Sequence, residues 1–273
     1  MWELLDILTN MSGYEGEALS PNITRFPIPL LRELHEEKQL PKTTGWQHNT
    51  EWHIGEEPVD FLRIKLPKGL AGEMKTEDGW RAGATFLVHQ GVAPADHYYL
   101  RYDHRFPTGF NWVQGGKLPG LYGGTAPMGG EIAEGTNGFT SRLMWRQKGN
   151  GEVYLYAPYE ENAELSKSQS EEISKRWGIN IGRGNWQFVA DNNWHKIEQE
   201  LKLNTPGQKD GQIGVWYDGK EVMKQNGIYI RATDDLKING LVICSFFGGN
   251  DPTWASPVDT HVDLANFELS DAR

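Results

Sequence analysis

Lysine, arginine and tyrosine side chains recur at short intervals between positions 115 and 156, where they are suited to acid–base chemistry. Lys117 lies in a glycine-rich segment, Gly115–Gly124, which we interpret as a loop whose backbone can approach a ligand closely. Two alternating segments follow, Phe139–Arg146 and Glu152–Ala157, and they predict an antiparallel hairpin. Because side chains alternate along a strand, four polar side chains share one face of this hairpin. They are Thr140, Arg142, Tyr154 and Tyr156.

The loop between these two strands, Gln147–Gly151, fixes their predicted register. If the loop is symmetric about Gly149, Arg142 lies opposite Tyr156. The other face of the hairpin is apolar and is predicted to belong to the core. Its residues are Leu143, Trp145, Val153 and Leu155.

A lysine, an arginine and two tyrosines without an acidic pair suit β-elimination from a uronic acid polymer. The proton next to the carboxylate is removed only if the carboxylate is neutralised and the developing charge is stabilised, which arginine and lysine can do. A tyrosine beside cations can accept that proton, and a second phenol can protonate the departing oxygen. The same tyrosines are also typical of aromatic residues in an ordinary strand. The spacing alone therefore leaves both interpretations open.

The elements that must position these residues are strands. Nine segments combine β-forming residues with alternation or a short apolar run, and Gly, Pro, Asn or Asp separate them, which predicts an all-β sandwich of two antiparallel sheets. The segments are Phe61–Leu66, Ala84–Gln90, Tyr98–Phe106, Phe139–Arg146, Glu152–Ala157, Trp194–Leu203, Gln212–Tyr217, Leu241–Phe247 and Val262–Leu269. In the third segment, one face is apolar and the other carries Arg101 and Arg105.

The first 45 residues differ from the rest of the chain. Pro29–Leu40 has helical spacing of apolar residues after a proline, which predicts a short helix. We therefore expect residues 1–45 to form an N-terminal extension packed on a single domain of residues 46–273. The polar segment Glu160–Lys175 is interpreted as a surface loop or short helix.

Composition excludes several classes of protein. The 273 residues carry 27 Lys and Arg against 37 Asp and Glu, and the resulting net charge of −10 disfavours broad nucleic-acid binding. The single cysteine, Cys244, excludes an intramolecular disulfide and lies in an apolar run typical of a core. The sequence has no apolar stretch long enough for a membrane span, and residues 1–10 lack the pattern of a signal peptide.

Three motifs together resemble polysaccharide lyase family 14, the alginate and glucuronan lyases. They are the segments Phe110–Gly124, Thr140–Arg146 and Gly151–Tyr156. The family's lysine, its Ser-x-Arg pair and its Tyr-x-Tyr pair fall on Lys117, on Thr140 and Arg142, and on Tyr154 and Tyr156. Threonine therefore replaces the family's serine, keeping the hydroxyl and adding a methyl group. The resemblance implies a β-jelly-roll fold.

The resemblance also implies cleavage of a β-1,4-linked uronan, either alginate (including polymannuronate) or glucuronan, by β-elimination without a metal or cofactor. Arg142 would neutralise the carboxylate, while Lys117 and Thr140 would position it and help to stabilise charge. Tyr154 and Tyr156 would be base and acid, in an order left open. Four further residues are expected to bind substrate: Gln90, Arg101, Arg105 and Arg146.

Two other functions compete with this one. A non-catalytic carbohydrate-binding sandwich would explain the aromatic residues by sugar stacking alone. A jelly-roll glycoside hydrolase needs two carboxylates about 5–10 Å apart, and its candidates are Asp103, Glu131, Glu134 and Glu152. Three other acids have no spacing typical of a calcium loop: Asp259, Asp263 and Asp271.

The expected partner is an anionic polysaccharide, bound by a monomer with no nucleic acid or membrane involved. A polyanion substrate requires local positive charge in an acidic chain, so we expect a basic cleft in an acidic body. The resemblance implies secretion, for which the sequence shows no signal.

Overall fold

The computed structural model describes residues 22–42, 44–72, 74, 82–166, 170–249 and 251–273. The strands are β1 (Ile23–Phe26), β2 (Thr50–His53), β3 (Phe61–Leu66), β4 (Ala84–Val88), β5 (His97–Arg105), β6 (Gly115–Gly124), β7 (Gly138–Arg146), β8 (Gly151–Tyr156), β9 (Ile179–Ile181), β10 (His195–Lys202), β11 (Gly211–Tyr217), β12 (Lys220–Ile228), β13 (Gly240–Phe247) and β14 (Thr260–Ser270). The α-helices are α1 (Ile28–Glu36), α2 (Trp46–Asn49) and α3 (Glu171–Trp177).

The strands form two antiparallel sheets. The first sheet has the order β12-β11-β10-β5-β14-β3-β2, with β1 also pairing with β14. The second sheet has the order β4-β13-β6-β7-β8-β9. Half of the twelve strand pairs among the described residues join strands that are not consecutive in the chain, as in jelly-roll sandwiches. The predicted all-β sandwich of two antiparallel sheets is confirmed.

The core lies between the sheets. Trp145 of β7 is fully buried, and its ring meets Phe106 edge to face at a centroid distance of 5.5 Å. Gln199 of β10 donates a hydrogen bond to the Ser141 hydroxyl of β7 at 2.7 Å, directly across the sandwich. Ser141 therefore faces the core, so its neighbours Thr140 and Arg142 lie on the opposite side of the second sheet.

The glycine-rich segment is a strand, and its interpretation as a loop is wrong. β6 lies between β13 and β7 at the centre of the second sheet. A Cβ atom on Gly116 would lie 2.1 Å from the Trp145 ring, and one on Gly120 would lie 2.0 Å from the Ser141 carbonyl oxygen. These glycines allow close packing inside a sheet, a purpose that composition alone does not distinguish from a turn.

The hairpin β7–β8 forms on the predicted strands in a different register. Arg142 pairs with Tyr154, and Thr140 pairs with Tyr156, so the predicted Arg142–Tyr156 pairing is wrong. The turn is a short 3₁₀ helix, Gln147–Gly149, closed by a hydrogen bond from the Arg146 amide to the Asn150 carbonyl. Its centre is one residue before the predicted one, which shifts the pairing by two and leaves every side chain on its predicted face.

Part of the predicted N-terminal extension belongs to the sandwich itself. β1 extends the first sheet along β14, and α1 buries Leu31 and Leu34 in the core. The helix begins one residue before Pro29 and ends at Glu36, four residues before the predicted end. Residues 1–21 of the extension lie outside the described part of the chain. No helix among the described residues is long and apolar enough to cross a membrane.

Candidate active site

An open cleft of about 1100 Å³ lies on the outer face of the second sheet. Lys117, Arg142, Tyr154 and Tyr156 form part of its lining, so four of the five predicted catalytic residues meet in one cavity. Trp177, at the end of α3, and Trp254 also line the cleft. In the described part of the chain, five basic side chains and two carboxylates line the cleft. The basic residues are Lys42, Lys117, Arg142, Arg146 and Arg183; the acids are Glu131 and Asp251.

Cross-strand pairing places these side chains in adjacent rows. One row runs from Lys117 on β6 to Met144 on β7, and the next places Arg142 of β7 beside Tyr154 of β8. Tyr156 lies on a third row, and its ring meets that of Tyr154 edge to face at 5.8 Å. Each functional group is thus fixed by a strand whose other face is core, which is the rigid support that a catalytic site needs.

Lys117 is buried without an acidic partner. It is 6% exposed, and its Nζ lies 3.9 Å from the centre of the Tyr154 ring and 3.0 Å from the Met144 sulfur, a weak acceptor. Among the described residues, no carboxylate lies within 4.0 Å of Nζ. Burial, followed by the positive charges of Arg142 and Arg146, lowers the pKa of Lys117 well below its ordinary value of 10.5.

Arg142 is the most deeply buried cation of the cleft. It is 2% exposed, and its Nε has no hydrogen-bond partner in the described part of the chain. Its guanidinium lies 5.9 Å from the Tyr154 ring centre and 5.7 Å from that of Tyr156. A buried donor without a partner is costly, and a substrate carboxylate would satisfy it.

The two tyrosines differ in their surroundings. The Tyr156 hydroxyl accepts a hydrogen bond from the Gly130 amide at 3.4 Å, on the loop that packs against Trp177. Burial raises the pKa of both phenols, most strongly for Tyr154. For Tyr156, Arg142 and the Gly130 amide oppose this increase. Both side chains are therefore phenols rather than phenolates at neutral pH.

Thr140 lies beneath the cleft and does not line it. The side chain is fully buried beside Tyr156, and its hydroxyl donates a hydrogen bond to the Pro127 carbonyl at 2.9 Å. Pro127 belongs to the loop that carries Gly130, so the hydroxyl anchors the segment that contacts Tyr156. Its predicted direct action on substrate finds no support in this placement.

The sequence and the fold are similar to those of known proteins. A model of polysaccharide lyase family 14 matches residues 56–267, more than half of the chain. The chain belongs to polysaccharide lyase family 14. No curated protein matches the sequence of this lyase.

Three solved structures similar to this lyase are alginate or glucuronan lyases. The marine PL-14 alginate lyase from Aplysia kurodai is 28% identical, with a TM-score of 0.69 over 88% of this chain and 93% of that one. A double mutant of the alginate lyase Aly36B, solved in complex with an alginate tetrasaccharide, is 22% identical with a TM-score of 0.66 over 93% and 94% of the chains. The endo-β-1,4-glucuronan lyase from the fungus Trichoderma reesei is 9% identical, with a TM-score of 0.54 over 85% and 88%.

Two of the predicted substrate-binding arginines of the lyase lie on the first sheet, whereas the cleft lies on the second. Arg101 and Arg105 are on β5, and their side chains face outward from the first sheet, away from the cleft. Arg101 pairs with Glu198 and Glu268, and Arg105 pairs with Asp263. The alternation of β5 was predicted correctly, but it does not indicate which sheet a strand joins. The structure therefore does not bring these two arginines together with the predicted catalytic residues.

Gln90 also lies away from the cleft of the lyase. It follows the end of β4, and its side-chain amide donates a hydrogen bond to the Gln39 carbonyl at 3.0 Å. His89 precedes it at the same exposed strand end and is likewise absent from the cleft lining. The structure therefore does not bring Gln90 together with the predicted catalytic residues, and its amide instead contacts the N-terminal segment.

Arg146 lines the cleft as predicted, and sequence reasoning missed a second arginine beside it. Arg183 lies just after β9, a strand of only three residues that alternation did not reveal. Both guanidiniums bind the carboxylate of Glu152, which is completely buried. The available signal was the short alternating segment Ile179–Ile181, which Arg183 follows two residues later.

Of the four carboxylates predicted as candidates for a glycoside hydrolase, the structure places one, Glu131, in the cleft lining. Asp103 lies on the first sheet, Glu152 is covered by arginines, and Glu134 does not line the cleft. Glu131 lines it and pairs with Lys42 at 3.1 Å. Asp263 is likewise committed to arginine, and the described residues contain no group of three potential metal ligands.

The corrected position of Arg105 leads to a stability prediction. Arg105→Ala should lower the free energy of unfolding by about 1–3 kcal/mol, because Asp263 loses one of its charged hydrogen-bond donors. The guanidinium also lies 4.5 Å from the Trp194 ring centre, and that contact is lost as well. Urea denaturation measures the loss, while kcat and KM should stay at wild-type values. A large increase in KM would show instead that Arg105 takes part in substrate binding.

Proposed function

We propose that this lyase cleaves a β-1,4-linked uronan, alginate or glucuronan, by β-elimination and leaves an unsaturated uronate at the new chain end. The observation that carries the proposal is that two buried cations, Arg142 and Lys117, line the same open cleft. Among the described residues, the Nε of Arg142 has no hydrogen-bond partner and Lys117 has no carboxylate partner. Such a site is suited to an anionic sugar. The Aplysia kurodai alginate lyase and the Aly36B complex with an alginate tetrasaccharide support the substrate class by likeness.

The first requirement of the reaction is a neutralised carboxylate. Arg142 accounts for it, since its guanidinium offers charged donors from a water-poor position to the carboxylate of the sugar that loses its proton. As the C5 proton leaves, charge moves onto that carboxylate, and a preorganised donor there lowers the barrier. No reorganisation of Arg142 is needed, because neighbouring strands already hold it.

We assign the proton acceptor to Lys117. Its lowered pKa favours a neutral amine, which takes the C5 proton with its lone pair. The electrons of the C5–H bond then form the double bond between C4 and C5, and the bond from C4 to the glycosidic oxygen breaks. The tyrosines are the weaker candidates for this step, because burial raises their pKa values and keeps them protonated.

We assign the proton donor to Tyr156. Its phenol gives a proton to the departing oxygen, and the phenolate that remains is stabilised by the Gly130 amide and the charge of Arg142. Among the described residues, no backbone amide donates a hydrogen bond to the Tyr154 hydroxyl, and the Tyr154 ring instead covers the Lys117 amine. Tyr154 thus shields the Lys117 amine from water.

The substrate is identified by incubating the protein with alginate, polymannuronate, polyguluronate and glucuronan and following the ultraviolet absorbance of the unsaturated uronate. We expect absorbance to rise on at least one polymer and to stay flat with Lys117→Ala, which controls for contaminating lyases. Binding without any rise in absorbance on all four polymers would contradict the proposal. That result would instead favour a carbohydrate-binding protein.

A further inference from the structure

One part of the cleft is built around a carboxylate that solvent does not reach. Glu152 of β8 is 0% exposed and points to the same side of the sheet as Tyr154. Its Oε1 accepts hydrogen bonds from Arg146 Nε at 2.7 Å and from the Asn180 amide. Its Oε2 accepts one from Arg183 Nε at 2.6 Å. Burial of a carboxylate is tolerable only with such partners.

Both guanidiniums keep donors for a ligand. Arg146 uses Nε and Nη2 on Glu152, and Arg183 uses Nε. A guanidinium has five N–H groups, and the described residues supply no other hydrogen-bond acceptor to either side chain. Both arginines line the cleft, and the Arg146 guanidinium also lies 5.7 Å from the Trp254 ring centre. The free N–H groups therefore border the space that substrate enters.

The charges in this group do not cancel. One carboxylate lies between two guanidiniums, so the group keeps one net positive charge, which matches a single substrate carboxylate. Arg146 is four residues beyond Arg142 on β7, a distance of about 13 Å along a strand. That distance exceeds the width of one sugar ring, so a carboxylate at Arg146 belongs to a different sugar from the one held by Arg142.

We propose that Arg146 and Arg183 form a second carboxylate subsite of the cleft and that Glu152 is the positioning residue that orients them. The inference rests on the proposed function, since it concerns a uronan that occupies several sugar positions. It predicts that affinity depends on chain length: a substrate long enough to reach both arginine sites gains a charge-assisted contact that a shorter one lacks.

Arg183→Gln tests the subsite, with Lys148→Gln as its matched control. Lys148 is an exposed cation in the β7–β8 turn and does not line the cleft, so its replacement makes the same change in net charge. kcat and KM are measured on the preferred polymer and on its size-fractionated oligosaccharides. We expect Arg183→Gln to raise KM for the polymer about tenfold, as loss of a charged hydrogen bond would, with a much smaller fall in kcat.

For the shortest oligosaccharide that is still cleaved, KM should change less than about twofold in Arg183→Gln, because that substrate does not span both sites. The dependence of KM on salt should also weaken in this variant, since one screened attraction is gone. Lys148→Gln should match the wild type throughout. An unchanged KM for the polymer, or an equal rise for every chain length, would overturn the subsite.

Glu152→Gln tests the positioning role. Glutamine offers one carbonyl acceptor to two guanidiniums, so one arginine loses its support, and KM for the polymer should rise with the same dependence on chain length. Wild-type KM and length dependence in a folded Glu152→Gln protein would overturn this role. If the variant does not fold, Arg183→Gln still decides the subsite. A wild-type protein inactive on every uronan contradicts the proposed function instead.

Discussion

Lys117→Arg should lower kcat by about 10²–10⁴-fold, the range of a lost general base. Arginine keeps the positive charge at this position but remains protonated at any working pH, so it cannot accept the C5 proton. The substitution therefore separates proton transfer from charge stabilisation, which Lys117→Ala removes together. Initial rates by ultraviolet absorbance, with binding of the uncleaved polymer measured separately, check the prediction.

The matched control is Lys65→Arg, on the outer side of the first sheet, where Lys65 pairs with Glu51. It should leave kcat unchanged. The pH profile of the wild-type enzyme gives a second readout. Because Lys117 must be neutral and its pKa is lowered by burial, kcat/KM should rise with pH through a pKa well below 10.5. An active Lys117→Arg variant would show that this position supplies charge only.

Tyr156→Phe should lower kcat by about 10²–10⁴-fold, because the departing oxygen loses its proton donor. Phenylalanine keeps the ring that packs against Tyr154, so the fold and KM should change little. The substitution removes the hydroxyl together with its hydrogen bonds, including the one from the Gly130 amide. Steady-state kinetics and the thermal unfolding midpoint test the two parts of this prediction.

Tyr99→Phe is the control for Tyr156→Phe. Tyr99 lies on β5 of the first sheet and donates its hydroxyl to Glu200 at 2.9 Å, away from the cleft. Its loss should affect stability slightly and turnover not at all. Tyr154→Phe discriminates between the two cleft tyrosines: it should retain more activity than Tyr156→Phe. The reverse order would assign the proton donor to Tyr154.

Sequence reasoning located the site because its residues follow the period of a strand. Thr140 and Arg142 were placed on one face and Leu143 and Trp145 on the other, and the sandwich has them so. The twelve-residue spacing from Arg142 to Tyr154 makes the two residues direct cross-strand partners. Local alternation decides the face of a side chain, and in a hairpin the partner strand is also local.

What sequence reasoning missed depends on contacts between distant segments. Nothing in the alternation of β5 shows that it joins the first sheet, so the sequence could not separate Arg101 from the residues that line the cleft. The glycines of β6 were interpreted as a loop because their packing partners, Trp145 and Ser141, come later in the chain. Arg183 follows a strand too short to recognise by period, and its partner Glu152 is 31 residues away.

Because β7 supplies core side chains from one face and cleft side chains from the other, successive residues of this strand alternate between the core and the cleft. Deleting one residue between Thr140 and Arg142 would turn part of the cleft inward and part of the core outward. A change of length at the turn Gln147–Gly149, where this alternation ends, would leave the side chains of β7 on their present faces. Natural variation in this lyase is therefore expected as substitutions along β7 and as insertions at its turn.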